Sequence, residues 1–210
     1  MYGTTMAGTR NGVSILMRAV EESEMDELTT KAISSLQVMR YSNVPHLSHT
    51  VGDERAWLKR ASEDQNAYYW GIEYEGELVG TTAVHKVHTM KPPTTGIVIW
   101  KKEVHGRGIA SLAHRLRTMF IADFLGIRQV QSHVRAKNIA SRMALEGVGY
   151  QVWGSEPQSV LVAGEYLDTL HLAWFNPFLV VPDAVPDMYR AAMEKARLAI
   201  LEARQIVTYP

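Results

Sequence analysis

Residues 105–150 constrain this chain more than any other stretch. They read HGRGIASLAHRLRTMF, then a β-branched run, then NIASRMALEGVGY. A glycine-rich turn opens a helix, a strand follows, and a second helix starts at Asn138. Glycines at a strand-to-helix turn let the backbone approach a ligand with no Cβ in the way. The first free amides of the helix then point at that ligand, and the helix dipole favours negative charge there. Gly106, Gly108 and Ala110 are therefore a candidate cradle for a pyrophosphate. The other reading of a lone G-x-G-x-A is a plain tight turn, because such motifs are short. A dinucleotide-binding first βα unit carries G-x-G-x-x-G with an acidic residue about 20 positions on. Here the motif is mid-chain and the third Gly is missing.

Composition narrows the partners. Lys plus Arg number 22, as do Asp plus Glu, so the formal net charge is zero. A strongly basic body for binding nucleic acid is disfavoured. There is no cysteine, which removes disulfides, thiolate nucleophiles and Cys-ligated zinc. Residues 1–14 lack the apolar core of a signal peptide. No apolar run approaches the roughly 20 residues that span a bilayer. The expectation is a soluble, cytoplasmic protein with no membrane partner.

The pattern along the chain predicts an α+β fold. Residues 1–12 read as a flexible leader, and 13–20 as a first strand. Residues 21–40 have helical spacing through Met25, Leu28, Ala32, Ile33 and Leu36. Residues 41–51 read as a loop with Pro45, His46 and His49. Asp53 is the expected N-cap of a short helix through Trp57 and Leu58. Residues 68–74 and 78–88 form a hairpin around Glu75-Gly76-Glu77. Residues 96–100 have the apolar, β-branched character of a central strand. The helix over 108–124 buries Ile109, Leu112, Leu116, Met119 and Phe120, with His114, Arg115 and Arg117 towards the opposite face. Gly126 is its expected C-cap. Residues 130–134 are a strand, 138–146 a short helix, and 151–175 two or three strands with a turn at Ala163-Gly164-Glu165. Pro177, Pro182 and Pro186 mark a boundary, so the expected units are 13–176 and a 177–210 linker and amphipathic helix. That helix puts Tyr189, Met193, Ala196, Ile200 and Ala203 on one face, an intramolecular or homodimer contact. A membrane-surface role does not suit its mixed polar face.

HGRGIA followed by NIASRMALEGVGY resembles the GNAT superfamily of acyl-coenzyme A transferases. Gly108 and Ala110 match its cofactor motif, with His105 where Gln or Arg is usual. Asn138, Ser141, Glu146, Gly149 and Tyr150 resemble the N-x-x-S…E-x-x-G-[FY] of the Rim-type branch, which acetylates ribosomal-protein N-termini. VLVAGEYLDTLHLAWF resembles the hairpin of that branch. The resemblance covers residues 16–175. It implies a mixed, curved sheet of about seven strands split into a V, with helices on both faces and an extra C-terminal helix. It also implies acetyl-coenzyme A as co-substrate, held by His105, Gly106, Arg107, Gly108, Ile109 and Ala110 at the pyrophosphate. Asn138 and Ser141 would flank the pantetheine arm, and Ile97, Ile99 and Trp100 would pair with it as an added strand does.

Acyl transfer to an amine needs a neutral amine, a donor for the oxyanion and a leaving thiolate. Many relatives place a Glu near the start of the strand before the glycine motif. That position is near Thr95 here, and no carboxylate lies between Met90 and Lys102. The Tyr that many relatives use to protonate the thiolate falls at Leu145. By resemblance Ser141 takes that role, against the alternative of a hydroxyl bonded one turn back. His133 is a candidate base, and His85, Tyr166 and Asp168 are candidate acceptor contacts. Each also reads as an ordinary strand or hairpin residue. His85 and His88 are three apart, which on a strand means opposite faces, so no metal site is assigned. A chain without a strong base favours a low-pKa amine. The reading is acetyl transfer to the α-amine of a protein or peptide. The alternatives are a small antibiotic or polyamine amine, a non-catalytic acyl-coenzyme A-binding module, and an acceptor on nucleic acid.

Overall fold

The computed structural model describes residues 1–42 and 50–210. Among them, nine strands form one mixed sheet. The elements run β1 (Met6–Arg10), β2 (Val13–Arg18), α1 (Met25–Glu27), α2 (Val51–Glu63), β3 (Ala67–Tyr74), β4 (Glu77–His85) and β5 (Thr94–Ile99). They continue as α3 (Ile109–Asp123), β6 (Gln129–Arg135), α4 (Ile139–Glu146), β7 (Gln151–Val162), β8 (Glu165–Phe175), α5 (Arg190–Ile206) and β9 (Val207–Thr208). The spatial order is β7-β8-β6-β5-β4-β3-β2-β1-β9. All neighbours are antiparallel except β5 and β6, which are parallel and joined through the crossover helix α3.

The strand count exceeds the expected seven by two, β1 near the start of the chain and β9 near its end. Residues 1–12 are not a flexible leader: β1 pairs with β2 on one side and β9 on the other. Asn11 and Gly12, at φ 49° and 79°, turn the chain between β1 and β2. An Asn-Gly pair with both residues left-handed is the two-residue turn whose twist suits a hairpin. The Met1 ammonium donates to the carbonyls of Ala61, Asp64 and Ala67.

Two other expectations are corrected. The continuous helix over 21–40 is a series of short turns: a 3₁₀ turn at Glu22–Glu24, α1, a π-helical stretch at Leu28–Ile33 and a 3₁₀ turn at Met39–Tyr41. Met25, Leu28 and Ala32 are buried as the spacing predicts, but Leu36 is 69% exposed. The N-cap of α2 is Thr50, whose hydroxyl accepts from the Asp53 amide while the Asp53 carboxylate accepts from the Thr50 amide. Asp53 is thus the reciprocal partner of a capping box. The loop expected at 41–51, with Pro45, His46 and His49, lies mostly outside the described residues.

Period-two alternation puts helices on both faces. Trp70, Ile72, Ile97 and Ile99 pack in one core with α3 and α5, while Val98, Leu78 and Trp100 join α1 in the other. α5 buries Ala192, Met193, Ala196, Ala199, Ile200 and Ala203, the face its spacing predicts. Its approach to the end of α4 is close. Gly149 has φ 92°, and a Cβ there would lie 2.5 Å from the Ala192 carbonyl oxygen. No helix among the described residues is long and apolar enough to cross a membrane.

Candidate active site

The two parallel strands define a cleft. Only Thr94 pairs with Gln131 in the β5–β6 ladder, so the strands part beyond that point towards their carboxyl ends. α3 and α4 begin just past those ends. A crevice outside the carboxyl ends of parallel strands is where open α/β sheets bind ligands.

Backbone parity shows what β5 presents to the cleft. In a strand, each residue's N–H and C=O face one neighbour, and the side alternates. The Trp100 amide donates to Val79 O in β4. Ile99, Ile97 and Thr95 therefore face β6. The Thr95 carbonyl accepts from Ser132 Oγ at 3.3 Å, and the Ile99 carbonyl lies 2.9 Å from His105 Nε2. Ile97, between them, lies beyond the only ladder pair. So Ile97 and Ile99 suit pairing with an extended ligand, whereas Trp100 gives its amide to β4 and buries its ring in the α1 core.

The turn into α3 has the geometry of a cradle. Gly106 and Gly108 have φ 78° and 92°, and a Cβ on either would meet nothing within 4 Å. Left-handed backbone with open space above it suits close approach of an anion. Gly108 is the N-cap of α3, and its carbonyl accepts from Leu112. The amides of the first turn are left facing the turn. The side chain of Ile109 is core, so only its amide belongs to the cradle. Arg107 leans over the Tyr74 ring, 6.0 Å from its centroid. These residues fit a pyrophosphate.

Asn138 caps α4: its Oδ1 accepts from the Ser141 amide at 3.3 Å. That oxygen is committed to the helix. Among the described residues the Ser141 hydroxyl has no hydrogen-bond partner, so the bond one turn back is not made.

On the opposite face of β6 a second group gathers. Val130, Ser132 and Val134 are buried, while His133 and Arg135 point to the other side. His133 sits directly opposite His171 of β8, with ring centroids 4.9 Å apart and planes at 89°. Arg135, Glu156, Ser159 and Thr169 complete the lining. Register shifts in β7 between Glu156 and Val160 let Ser159 reach Thr169, hydroxyl to hydroxyl at 2.6 Å. Arg135 donates to the Thr169 hydroxyl. Glu156 stands at the rim, 63% exposed and 3.7 Å from His171 Nε2. Burial, then the neighbouring His171 and Arg135, holds the His133 pKa below its ordinary value, so its imidazole is neutral near pH 7.

The other expected acceptor contacts are not brought together with this group. His85 ends β4 and packs edge-on to Tyr69. Tyr166 is 63% exposed near the hairpin turn. Asp168 accepts from the Gln158 amide at the β7 irregularity. No group of three metal-ligating side chains occurs among the described residues. His171, Arg135, Glu156, Ser159 and Thr169 were not singled out from sequence, because only the β6–β8 register sets them beside His133.

A further departure lies beneath the cleft. The sequence pattern puts His114, Arg115 and Arg117 on a solvent-facing side of α3, yet all three are buried. α3 is covered by the sheet on one side and by α5 on another, so it has no fully polar face. Arg115 reaches Glu202 of α5 at 2.8 Å, while Arg117 turns inward under β4 and β5.

Comparisons with known proteins give the family and the fold. The family model "Acetyltransferase (GNAT) domain" matches residues 14–151. No curated protein matches the sequence. Among solved structures, Mycobacterium smegmatis RimJ in complex with CoA-disulfide is similar at a TM-score of 0.73 and 16% identity, covering 100% of both chains. Spermidine N-acetyltransferase from Vibrio cholerae, in complex with CoA and spermine, has a TM-score of 0.70 at 15% identity, covering 77% of this chain and 95% of its own. RimL, a ribosomal L7/L12 α-N-protein acetyltransferase in complex with coenzyme A, has a TM-score of 0.68 at 18% identity, covering 80% and 97%. At these identities the likeness speaks for the fold.

Proposed function

The chain belongs to the GNAT acetyltransferase family, and on that premise we propose that it acetylates the α-amine of a protein or peptide. Acetyl-coenzyme A supplies the activated acetyl group as a thioester. The amides of the Gly106–Ala110 turn hold its pyrophosphate, and the cleft edge of Ile97 and Ile99 orients the pantetheine arm. The acceptor enters from the face of His133 and His171. His133 takes the amine proton, directly or through a water. The amine attacks the thioester carbon, and the C–S bond breaks as the C–N bond forms. Ser141 donates its hydroxyl proton to the departing sulfur and is reprotonated through solvent by the proton that His133 releases.

One observation carries the choice of amine: the group offered beside the cleft is a neutral imidazole of lowered pKa, and Glu156 is set back at the solvent rim. An α-amine, with a pKa of about 7.7–8.0, is about a fifth neutral near pH 7.3. A lysine at about 10.4 needs roughly 3 kcal/mol more deprotonation work. A weak base suits the first and not the second. A polycation is also poorly matched, since the pocket's one carboxylate, Glu156, is offset by Arg135 and leaves no net negative charge.

The test is thiol release from acetyl-coenzyme A with unblocked peptides, N-terminally blocked lysine peptides and polyamines as acceptors. The chain has no cysteine, so every thiol detected is coenzyme A. Release with unblocked peptides that is lost on blocking is the expected result. Equal turnover of blocked lysine peptides, or of polyamines, would overturn the α-amine assignment.

A further inference from the structure

Arg117 is 0% exposed, and among the described residues it meets no carboxylate. A buried charge without a counter-charge costs several kcal/mol of desolvation, so this one needs a reason. Its partners are all neutral. Nη1 donates to Thr82 Oγ1 at 2.6 Å and to the Gly96 carbonyl at 2.9 Å. Nη2 lies 2.7 Å from His114 Nδ1. Thr82 Oγ1 donates to the same Gly96 carbonyl. The Tyr150 phenol is close enough to favour the charged guanidinium, and it lies 3.1 Å from Thr95 Oγ1. Burial lowers the Arg117 pKa, but a guanidinium stays protonated in proteins.

The place of this cation is informative. Gly96 lies on the strand that borders the cleft, between Thr95 and Ile97, whose backbones face β6. It is next to the closed end, where Thr94 pairs with Gln131. A ligand anchored by its pyrophosphate at Gly106–Ala110 and running back along Ile99 and Ile97 brings its far end to this point. Ile99 to Gly96 is three residues, about 10 Å of strand. For acetyl-coenzyme A that far end is the thioester.

We propose that Arg117 is a positioning residue whose buried charge stabilises negative charge at the thioester end of the cleft, on the carbonyl oxygen during attack and on the sulfur as it leaves. It acts across Gly96 and Thr82, without touching the substrate. A fixed cation in a water-poor site needs no reorganisation when the charge develops. The missing counter-charge is then supplied by the reaction. This inference rests on coenzyme A occupying the cleft as described above.

The same field must act on the thiol of bound coenzyme A, which can be read without turnover. Thiolate absorbance of the protein–coenzyme A complex is titrated with pH, with desulfo-coenzyme A as blank. The absence of cysteine makes the signal specific. The titratable groups facing Arg117 are His114 on α3, Tyr150 after α4 and His85 at the end of β4. The bound thiol should hold its proton at least tenfold more weakly than free coenzyme A in the same buffer. Arg117→Met should abolish that difference and lower kcat more than tenfold with little change in KM for acetyl-coenzyme A; Arg117→Lys should restore part of both. A bound thiol in the unaltered protein that titrates like free coenzyme A, or later, overturns the inference even if Arg117→Met does not fold. Failure of coenzyme A to bind at all would overturn the functional reading as well. Binding with an unshifted thiol overturns the role of Arg117 alone.

Discussion

Replacing Gly149 by Ala should be among the most destabilising single-methyl changes in this protein. Two costs combine. Gly149 has φ 92°, and left-handed backbone costs a residue with a Cβ about 1–2 kcal/mol. The new methyl would also stand 2.5 Å from the Ala192 carbonyl oxygen and 2.6 Å from the Ala196 amide nitrogen and Cβ. Those are atoms of α5, mostly backbone, so the helix must move. Overpacking of this kind costs about 1–3 kcal/mol. The sum is about 2–5 kcal/mol. At about 2–4 °C per kcal/mol for a chain of this size, the midpoint should fall by about 4–20 °C. Gly12→Ala separates the two costs. Its φ is 79°, but nothing lies within 4 Å of the added Cβ, so it should cost the backbone part alone. Urea unfolding of both variants gives the difference directly. If Gly149→Ala costs no more than Gly12→Ala, α5 does not pack against Gly149 as described. Tyr150 follows Gly149 and hydrogen-bonds Thr95 beside the cleft, so the variant should also weaken coenzyme A binding.

Three further outcomes are expected. Ser141→Ala should lower kcat by roughly 10²-fold, the low end for loss of a general acid, and leave the melting midpoint within a few degrees; an unchanged kcat would remove Ser141 from the chemistry. Burial, then Arg117 and Arg115, holds the His114 pKa well below 6.5, so below about pH 6.5 the unfolded chain binds a proton that the folded chain does not. Stability should therefore rise with pH up to about 6.5, by at most about 1.4 kcal/mol per pH unit; His114→Gln should flatten that slope in urea melts between pH 5 and 7, and an unchanged slope would refute the assignment. Glu202 accepts from Arg10 at 2.6 Å and Arg115 at 2.8 Å, tying α5 to β1 and α3. Glu202→Gln should cost about 1 kcal/mol, as for a partly exposed ion pair, with a smaller effect at high salt; a variant as stable as the parent would show that the packing of α5 does not use these pairs.

Legibility in the sequence followed the range of the interaction. The glycine turn at 106–110, the Asn138 cap and the Ala163-Gly164 hairpin turn are set by residues a few positions apart, and all three are where the pattern puts them. The apolar stripe of α5 was equally plain. The stretch 21–40 carried a helical period, yet packing broke it into 3₁₀, α and π turns. Residues 6–10 offer little alternation of apolar and polar side chains, and only pairing with both β2 and β9 makes β1 a strand.

The sequence by itself determined the glycine turn at 106–110, the Asn138 cap and the family, because turn chemistry and helix starts are written in neighbouring residues. Tertiary structure decided where the cleft opens, since the parting of β5 from β6 depends on a single ladder pair between residues 37 positions apart. It decided that His133 faces His171, which is a matter of register between two strands. It also decided that Arg117 is buried: amphipathic spacing assumes water on one side of a helix, and here the sheet and α5 leave α3 none.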